Sequence, residues 1–374
     1  MPIAAMRRQG SHGSHIRSLL RRSRMNAGLP HGSRGARLTL AAAIDRQARV
    51  RLGSFPTPLE PLPRLTAALG GPRILVKRDD LTGLAFGGNK TRTLEFVLGD
   101  LLLQAPEVLV TGANIQSNWS RQAAAAAAKL GIPIVLVLRN SEMQEIQGNV
   151  LLDLWLGADV RFVSEPDVTF VIAKELDRVV GELRSQGRRA FKIDPWAPSA
   201  ALGYVAMILE LQEQCETAGI TPTRIWTAAA GPTQSGMVLG TKYLAWPVRV
   251  TAVAPINWTG ASMQERTAES ANLAASVLDL DLSVGDVEIE THAGYIGPGY
   301  GRPSKAGLDA MRIVARTEGL LLDPIYTAKA MAGMMDHISR GLLTDEDTVI
   351  FLHTGGLPAV FAYRDAILQM ASSE

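Results

Sequence analysis

The segment Ala85-Phe86-Gly87-Gly88-Asn89-Lys90-Thr91-Arg92, with the strands and helices it sits among, decides how this chain is read. Paired glycines let the backbone turn tightly and, having no Cβ, let a flat ligand come close to the main chain. A lysine directly after such a turn is either an amine presented to a site or an ordinary surface lysine, and spacing alone leaves both open. Gly83 and Gly88 bracket four residues, as in a phosphate-binding P-loop. That motif needs glycine immediately before lysine, and Asn89 intervenes, so a nucleoside-triphosphatase is disfavoured.

Outward from this turn, short β-branched runs alternate with helical segments. Residues 74–77, 108–111, 134–138, 160–163, 224–227, 248–253 and 349–352 read as strands, and 122–130, 168–184, 202–215, 304–317 and 329–340 as helices. Such alternation predicts an α/β fold, mostly parallel sheet flanked by helices, with ligands at the C-terminal ends of strands. The alanines at 123–128 favour helix and close backbone approach. No repeat of solenoid length is present.

Two further glycine-rich segments fall where strands should end: Ala230-Gly231-Pro232-Thr233-Gln234-Ser235-Gly236 and His353-Thr354-Gly355-Gly356. The first leads into a helix expected to begin near Ser235. Amides at such a helix N-terminus, with its partial positive charge, suit a phosphate dianion. Gly297-Pro298-Gly299-Tyr300-Gly301 is not a dinucleotide fingerprint, because the spacing differs and no strand runs into it.

Composition narrows the function classes. Of 38 basic residues, eight arginines fall before the first acid, Asp45; without them the body holds 30 basic against 36 acidic residues, which argues against a nucleic-acid surface. Residues 1–40 read as a basic, disordered extension, with a targeting peptide as the alternative. The single cysteine, Cys215, precludes an intrachain disulfide and reads as a buried small side chain on a helix; a reducing, cytoplasmic setting is expected. No apolar stretch is long enough for a membrane span. His12 and His15 form an isolated pair, and no metal site is expected.

From Phe86 to Arg92, and again at Ile115-Gln116-Ser117-Asn118, the chain resembles the D-cysteine desulfhydrase and 1-aminocyclopropane-1-carboxylate deaminase family. These are fold-type-II pyridoxal-phosphate enzymes related to the tryptophan synthase β subunit. The resemblance continues in order through the Gly231 loop, Tyr295 to Pro303, Arg316-Thr317-Glu318-Gly319, Asp323-Pro324-Ile325-Tyr326-Thr327 and His353-Thr354-Gly355-Gly356, covering about Leu52 to Tyr363.

It implies a two-lobed molecule, with residues 92–202 as the small domain and 41–91 plus 203–374 as the large cofactor-binding domain. It implies pyridoxal 5'-phosphate as cofactor, bound covalently through Lys90, which later moves protons at the substrate. Asn118 matches the residue that bonds the cofactor's phenolic oxygen. Ser117 matches one near the substrate carboxylate or acting in proton transfer. Tyr326 corresponds to a ring-stacking tyrosine and Tyr300 to a second active-site tyrosine. Ala230, Gly231 and Thr233 fall where the phosphate is held, and Thr354 where a threonine faces the pyridine nitrogen. Asn89, Gln116 and Trp119 fall with Ser117 and Tyr300 around the substrate. Cyclopropane deaminases carry Glu and Leu where this chain has Thr327 and Thr354. The pattern is therefore similar to the desulfhydrase branch: α,β-elimination from a small amino acid to an α-keto acid and ammonia. Other reactions on the scaffold, namely β-replacement, cyclopropane ring opening and racemisation, and a non-catalytic cofactor binder are the alternatives. A homodimer is expected, with neither nucleic-acid nor membrane partners.

Four departures cluster around the expected site. Trp119 stands where relatives carry His or Gln, and Thr93 replaces a lysine that contacts phosphate. Pro232 removes an N–H from the phosphate loop, and Pro195-Trp196-Ala197-Pro198-Ser199 replaces a Gly-Gly-Ser segment. The two indoles point towards a different or larger substrate.

Overall fold

A computed structural model describes residues 34–139, 145–163, 168–229, 231–256 and 262–371. Among them Leu59–Pro61 (β1), Arg73–Lys77 (β2), Arg224–Ala228 (β7), Arg249–Val253 (β8), Glu290–His292 (β9) and Thr348–Leu352 (β10) form one sheet, ordered β1-β2-β10-β7-β8-β9. Val108–Asn114 (β3), Ile134–Arg139 (β4), Asp159–Val163 (β5) and Ala190–Lys192 (β6) form the other, ordered β5-β4-β3-β6. Every pairing among these strands is parallel except β1 on β2. The central strands are continuous apolar runs, such as Val349-Ile350-Phe351-Leu352, because both faces of a parallel sheet are covered.

Helices Arg34–Asp45 (α1), Leu202–Ala218 (α7), Pro232–Tyr243 (α8) and Met263–Val277 (α9) contribute to one core, where Leu40, Tyr204, Ile208 and Met237 meet Ile225 and Ile350. On the opposite face, Pro63–Leu69 (α2), Lys305–Glu318 (α10) and Thr327–Ser339 (α11) bring Leu65, Val314 and Met331 against Trp226 and Phe351. Adjacent strand residues thus feed opposite cores, as the two-residue period requires. Lys90–Leu102 (α3), Asn118–Leu130 (α4) and Asn149–Trp155 (α5) pack on one face of the smaller sheet, and Val168–Ser185 (α6) on the other. Pro358–Ala362 (α12) and Arg364–Ala371 (α13) follow the last strand.

The strands and helices expected from periodicity all form, although β3 runs on through Gly112-Ala113-Asn114 and α4 starts at Asn118 rather than Gln122. Three expectations need correction. The extension expected to reach residue 40 ends earlier, because α1 begins at Arg34 and buries Ala36, Leu40, Ala43 and Ile44 on one stripe. Its Arg37 pairs with Glu216 of α7 at 2.5 Å; residues 1–33 lie outside the described residues. The division expected between Thr91 and Arg92 falls inside α3, a helix that periodicity did not reveal because Thr91 to Gly99 are buried all round. Finally, Gly87-Gly88 does not directly follow a strand; a short 3-10 turn, Asp79–Leu81, and a loop separate it from β2.

Cys215 is buried on α7, as expected, and burial pushes its thiol up to about 11. No described helix is long and apolar enough to cross a membrane, and no described cluster of His, Cys, Asp and Glu is arranged for a metal.

Candidate active site

The C-terminal ends of strands from both sheets converge on a cavity of about 520 Å³. β3 supplies Thr111 to Asn114 and then Ser117, Asn118 and Trp119; β6 leads to Asp194, Pro195 and Trp196. From the larger sheet, β7 leads to Ala229 and Thr233, β8 to Pro255 and Ile256, and β10 to Thr354. Asn89 and Lys90 enter from the glycine turn, and Tyr300 and Tyr326 from the segments flanking α10.

The turn that presents Lys90 is tightly constrained. Ala85, Phe86, Gly87 and Gly88 all have positive φ, at 42°, 68°, 65° and 127°. A Cβ on Gly87 would lie 2.1 Å from the Asp80 carbonyl oxygen, and one on Gly88 2.5 Å from Gln122 Nε2. The Asn89 amide donates to the Thr354 carbonyl at 3.0 Å, and its side chain donates to Thr233 Oγ1 at 3.1 Å, so all three glycine loops meet here. Two residues past Lys90, Arg92 binds Asp79 through Nε at 2.8 Å and Nη2 at 2.9 Å, and Glu210 through Nη1 at 2.9 Å. Tyr204 donates to Asp79, and Lys77 pairs with Glu210. Burial raises the Asp79 and Glu210 carboxyls, but Arg92 and Lys77 outweigh it and hold both below their usual range. This network fixes the first turn of α3 and hence the direction of Lys90.

Lys90 itself has no ion pair among the described residues. Burial lowers its pKa from 10.5 to about 8, so a neutral amine is accessible near physiological pH.

Ser117 caps α4, its Oγ accepting from the amides of Trp119 at 3.1 Å and Ser120 at 3.2 Å. With those acceptor positions taken, its own proton is left to give. Asn118 accepts on Oδ1 from Asn149 at 3.0 Å and Arg121 at 3.3 Å, which turns its NH2 group towards other acceptors. Arg121 is fully buried and also donates to the Gly87 carbonyl at 2.7 Å, joining α4 to the lysine turn. Burial lowers its pKa to about 10 and raises that of nearby Asp153 to about 8. Sequence reasoning passed over Arg121; the one cue was a charged residue beside the alanine run.

At the far end, Gly231 (φ 87°) caps α8 and Pro232 occupies its first position. The first intrahelical bond is Ser235 N to Gly231 O at 2.9 Å, so the amides of Thr233 and Gln234 lie ahead of it. Proline's missing N–H therefore costs one donor of several. Thr93 is buried in α3 and is not among the cavity-lining residues.

The hydroxyls of Tyr300 and Tyr326 are 2.9 Å apart, with rings edge to face. Burial raises both pKa values, so both stay protonated. Trp119 lines the cavity and is fixed by an Nε1 bond to Thr111 Oγ1 at 2.9 Å. Trp196 lies under the Arg266 guanidinium, 4.9 Å from its ring centroid, and against Gly231.

Most of the residues singled out from sequence thus share one cavity: Asn89, Lys90, Ser117, Asn118, Trp119 and Thr233, with Tyr300, Tyr326 and Thr354. Gln116 is not among the lining residues, because its amide is engaged by the Gln147 carbonyl and the Asn149 amide. Thr327 likewise turns away to bond Asp323. Ala230 lies outside the described residues. Ile172 and Leu176 of α6, Ile256 and Arg266 also line the cavity, and no motif marked them.

A family model for pyridoxal-phosphate dependent enzymes matches residues 50–355. The chain belongs to that family. It is 37% identical over 332 residues to the D-cysteine desulfhydrases of Salmonella choleraesuis (strain SC-B67) and Salmonella typhi, covering 86% of this chain and 97% of theirs. Its fold matches the crystal structure of an ACC deaminase homologue with a TM-score of 0.82 and 33% identity, over 89% of this chain and 99% of the other. Escherichia coli diaminopropionate ammonia lyase shares the fold alone: TM-score 0.59 and 18% identity over 91% and 92%. The chain is accordingly a pyridoxal-phosphate-dependent enzyme of fold type II.

Proposed function

We propose that this enzyme performs α,β-elimination on a small β-substituted amino acid, D-cysteine being the nearest model, and that the cavity holding Lys90 is where it does so. The observation that carries this reading is a buried lysine amine, without a carboxylate partner, sharing one cavity with a helix N-terminus and a paired tyrosine hydroxyl.

The donor set fits pyridoxal phosphate. The α8 N-terminus, with Gly231 and Thr233, suits the phosphate, Lys90 the aldehyde, and the Asn118 amide the phenolic oxygen. Tyr326 offers an aromatic face, and Thr354 a hydroxyl for the pyridine nitrogen. Bound there, the cofactor supplies the electron sink that makes the substrate Cα acidic.

The protein's own part follows. The Ser117 hydroxyl binds the substrate carboxylate, since its proton is left to give and it sits at the positive end of α4. The neutral Lys90 amine takes the Cα proton, and its lowered pKa suits it as a base. The Cβ–S bond breaks with its electron pair on sulfur, and the Tyr300–Tyr326 pair gives that sulfur a proton. The unsaturated amine left behind is hydrolysed by water to the α-keto acid and ammonia. A hydroxyl at Thr354, where a carboxylate would hold the ring nitrogen protonated, matches a reaction that needs less carbanion stabilisation.

Trp119 and Trp196 favour a second reading, in which the leaving group is bulkier than sulfide. Incubation with D-cysteine, L-cysteine, S-alkyl cysteines and 1-aminocyclopropane-1-carboxylate tests both. Pyruvate with an equal amount of thiol or sulfide, lost in Lys90→Ala, is expected. Keto-acid release from the cyclopropane alone, or inertness to all four, contradicts elimination.

The same reading divides the molecule into two lobes, one built around each sheet, with α3 belonging whole to the smaller. It makes the enzyme a cytoplasmic homodimer. Exposed Leu151, Leu154 and Trp155 on α5, beside Phe361 on α12, support a second copy covering this face.

A further inference from the structure

We infer that Lys329 is a positioning residue, its ammonium acting as a tethered cation that holds the 296–301 turn and with it the Tyr300 hydroxyl. The inference rests on Tyr300 being an active-site group, as proposed above.

Lys329 is 1% exposed, an unusual state for lysine unless something compensates it. No ion pair joins it to a carboxylate among the described residues. It donates instead to two main-chain carbonyls, Ile296 O at 2.7 Å and Gly299 O at 3.1 Å. Asp323 is the one carboxylate that favours its charge, and that side chain is already bound to the amides of Ile325, Tyr326 and Thr327 and to the Thr327 hydroxyl. Burial lowers the Lys329 pKa to about 8. An apolar residue would fill this space without that cost, so the ammonium is explained by what it grips.

What it grips lacks regular structure. Gly297, Gly299 and Gly301 have φ of 69°, 146° and 75°, so the turn alternates through conformations no helix or strand would stabilise. Apart from Lys329, its carbonyls are held by Tyr363 OH on Gly301 O at 2.7 Å and a long bond from Arg302 N to Gly299 O at 3.4 Å. Tyr300 lies between the gripped and the Tyr363-bound carbonyls.

The geometry closes on one helix end. Tyr326 is the N-cap of α11, and Lys329 is three residues later, on the same side of its first turn. That single turn therefore carries one tyrosine of the pair and grips the backbone carrying the other. Asp323 fixes the helix end, Lys329 fixes the turn, and the 2.9 Å separation of the hydroxyls follows.

The test compares Lys329→Met, Tyr300→Phe and the double variant by steady-state kinetics, and follows amide hydrogen exchange of residues 295–303 in cofactor-free protein. Lys329→Met is expected to speed exchange in that segment. It should lower kcat by about as much as Tyr300→Phe, roughly 10²-fold for loss of a positioned proton donor. The double variant should be no worse than Tyr300→Phe, because both changes remove one function. Should Lys329→Met fail to fold, Lys329→Ala in ammonium chloride replaces it, with slow exchange returning in ammonium but not in tetramethylammonium. Unchanged exchange in Lys329→Met, kinetic losses that multiply in the double variant, or no ammonium rescue overturns the inference. A loosened turn with Tyr300→Phe fully active leaves the grip standing and removes the catalytic reading of Tyr300.

Discussion

Replacing Gly87 by alanine separates the glycine turn's two jobs, conformation and clearance. At φ 65° an alanine sits in the left-handed region, which costs an L-residue about 1–2 kcal/mol. That term alone would leave the enzyme folded and active. The second term is steric: the new Cβ would lie 2.1 Å from the Asp80 carbonyl oxygen and 3.0 Å from the Thr82 amide nitrogen, where ordinary contact begins at 3.4 Å. Both are main-chain atoms, and Asp79 beside them is fixed by Arg92, Tyr204 and Thr57. The turn, not the network, must then shift by more than an ångström. Lys90 moves with it, and misplacement on that scale lowers turnover roughly 10²-fold. Gly70→Ala is the control, since its φ of 62° carries the same conformational cost with nothing within 4 Å. Cofactor affinity from fluorescence titration, kcat/KM with D-cysteine and thermal unfolding, measured on both variants, give the comparison. Gly70→Ala should lose stability and keep turnover, whereas Gly87→Ala should lose both. Turnover within twofold of wild type in Gly87→Ala would refute the claim that this turn aims the lysine.

Other outcomes follow from the same structure. Capture of pyridoxal phosphate by cofactor-free protein requires the neutral Lys90 amine, so its rate should climb with pH and level off above about 8, where an unburied lysine would keep climbing; stopped-flow absorbance checks it. Asp79 and Glu210 have lowered pKa values in the folded state, so their contribution is present above the unfolded carboxylate range and lost as pH falls through the folded values. Asp79→Ala, which leaves Arg92 buried with a lost partner, should cost about 3–5 kcal/mol near neutrality and flatten the acid limb of a urea-denaturation series. Leu40→Ala should cost about 2–5 kcal/mol in the same assay, because Leu40 is fully buried on α1. Trp119→Phe removes the bond to Thr111 and should change KM for bulky S-substituted cysteines more than for D-cysteine.

The larger plan was legible because burial on both faces writes long apolar runs into parallel strands, and Val349 to Leu352 admits little else. Helix α3 was hidden for the opposite reason: Thr91, Arg92 and Glu95 are buried polar residues satisfied by distant partners, and Thr93 is buried beside them, so no amphipathic period survives. The start of α1 was obscured by arginines that read as disorder, although Ala36, Leu40, Ala43 and Ile44 carry a helical stripe. At the site, residues on glycine loops were found because backbone demands leave a local signature. Arg266, Ile172 and Lys329 were not, since what they contact is set by the fold and nothing beside them in the chain announces it. Gln116 shows the converse: it adjoins Ser117 in sequence, yet its amide is engaged by residues 147 and 149.

Reduction of the holoenzyme with borohydride, followed by digestion and peptide mass analysis, tests the central claim most directly. The reduced cofactor is expected on the peptide containing Lys90, with no label elsewhere. Label on Lys77 or Lys329, which are also buried, or no label at all, contradicts it.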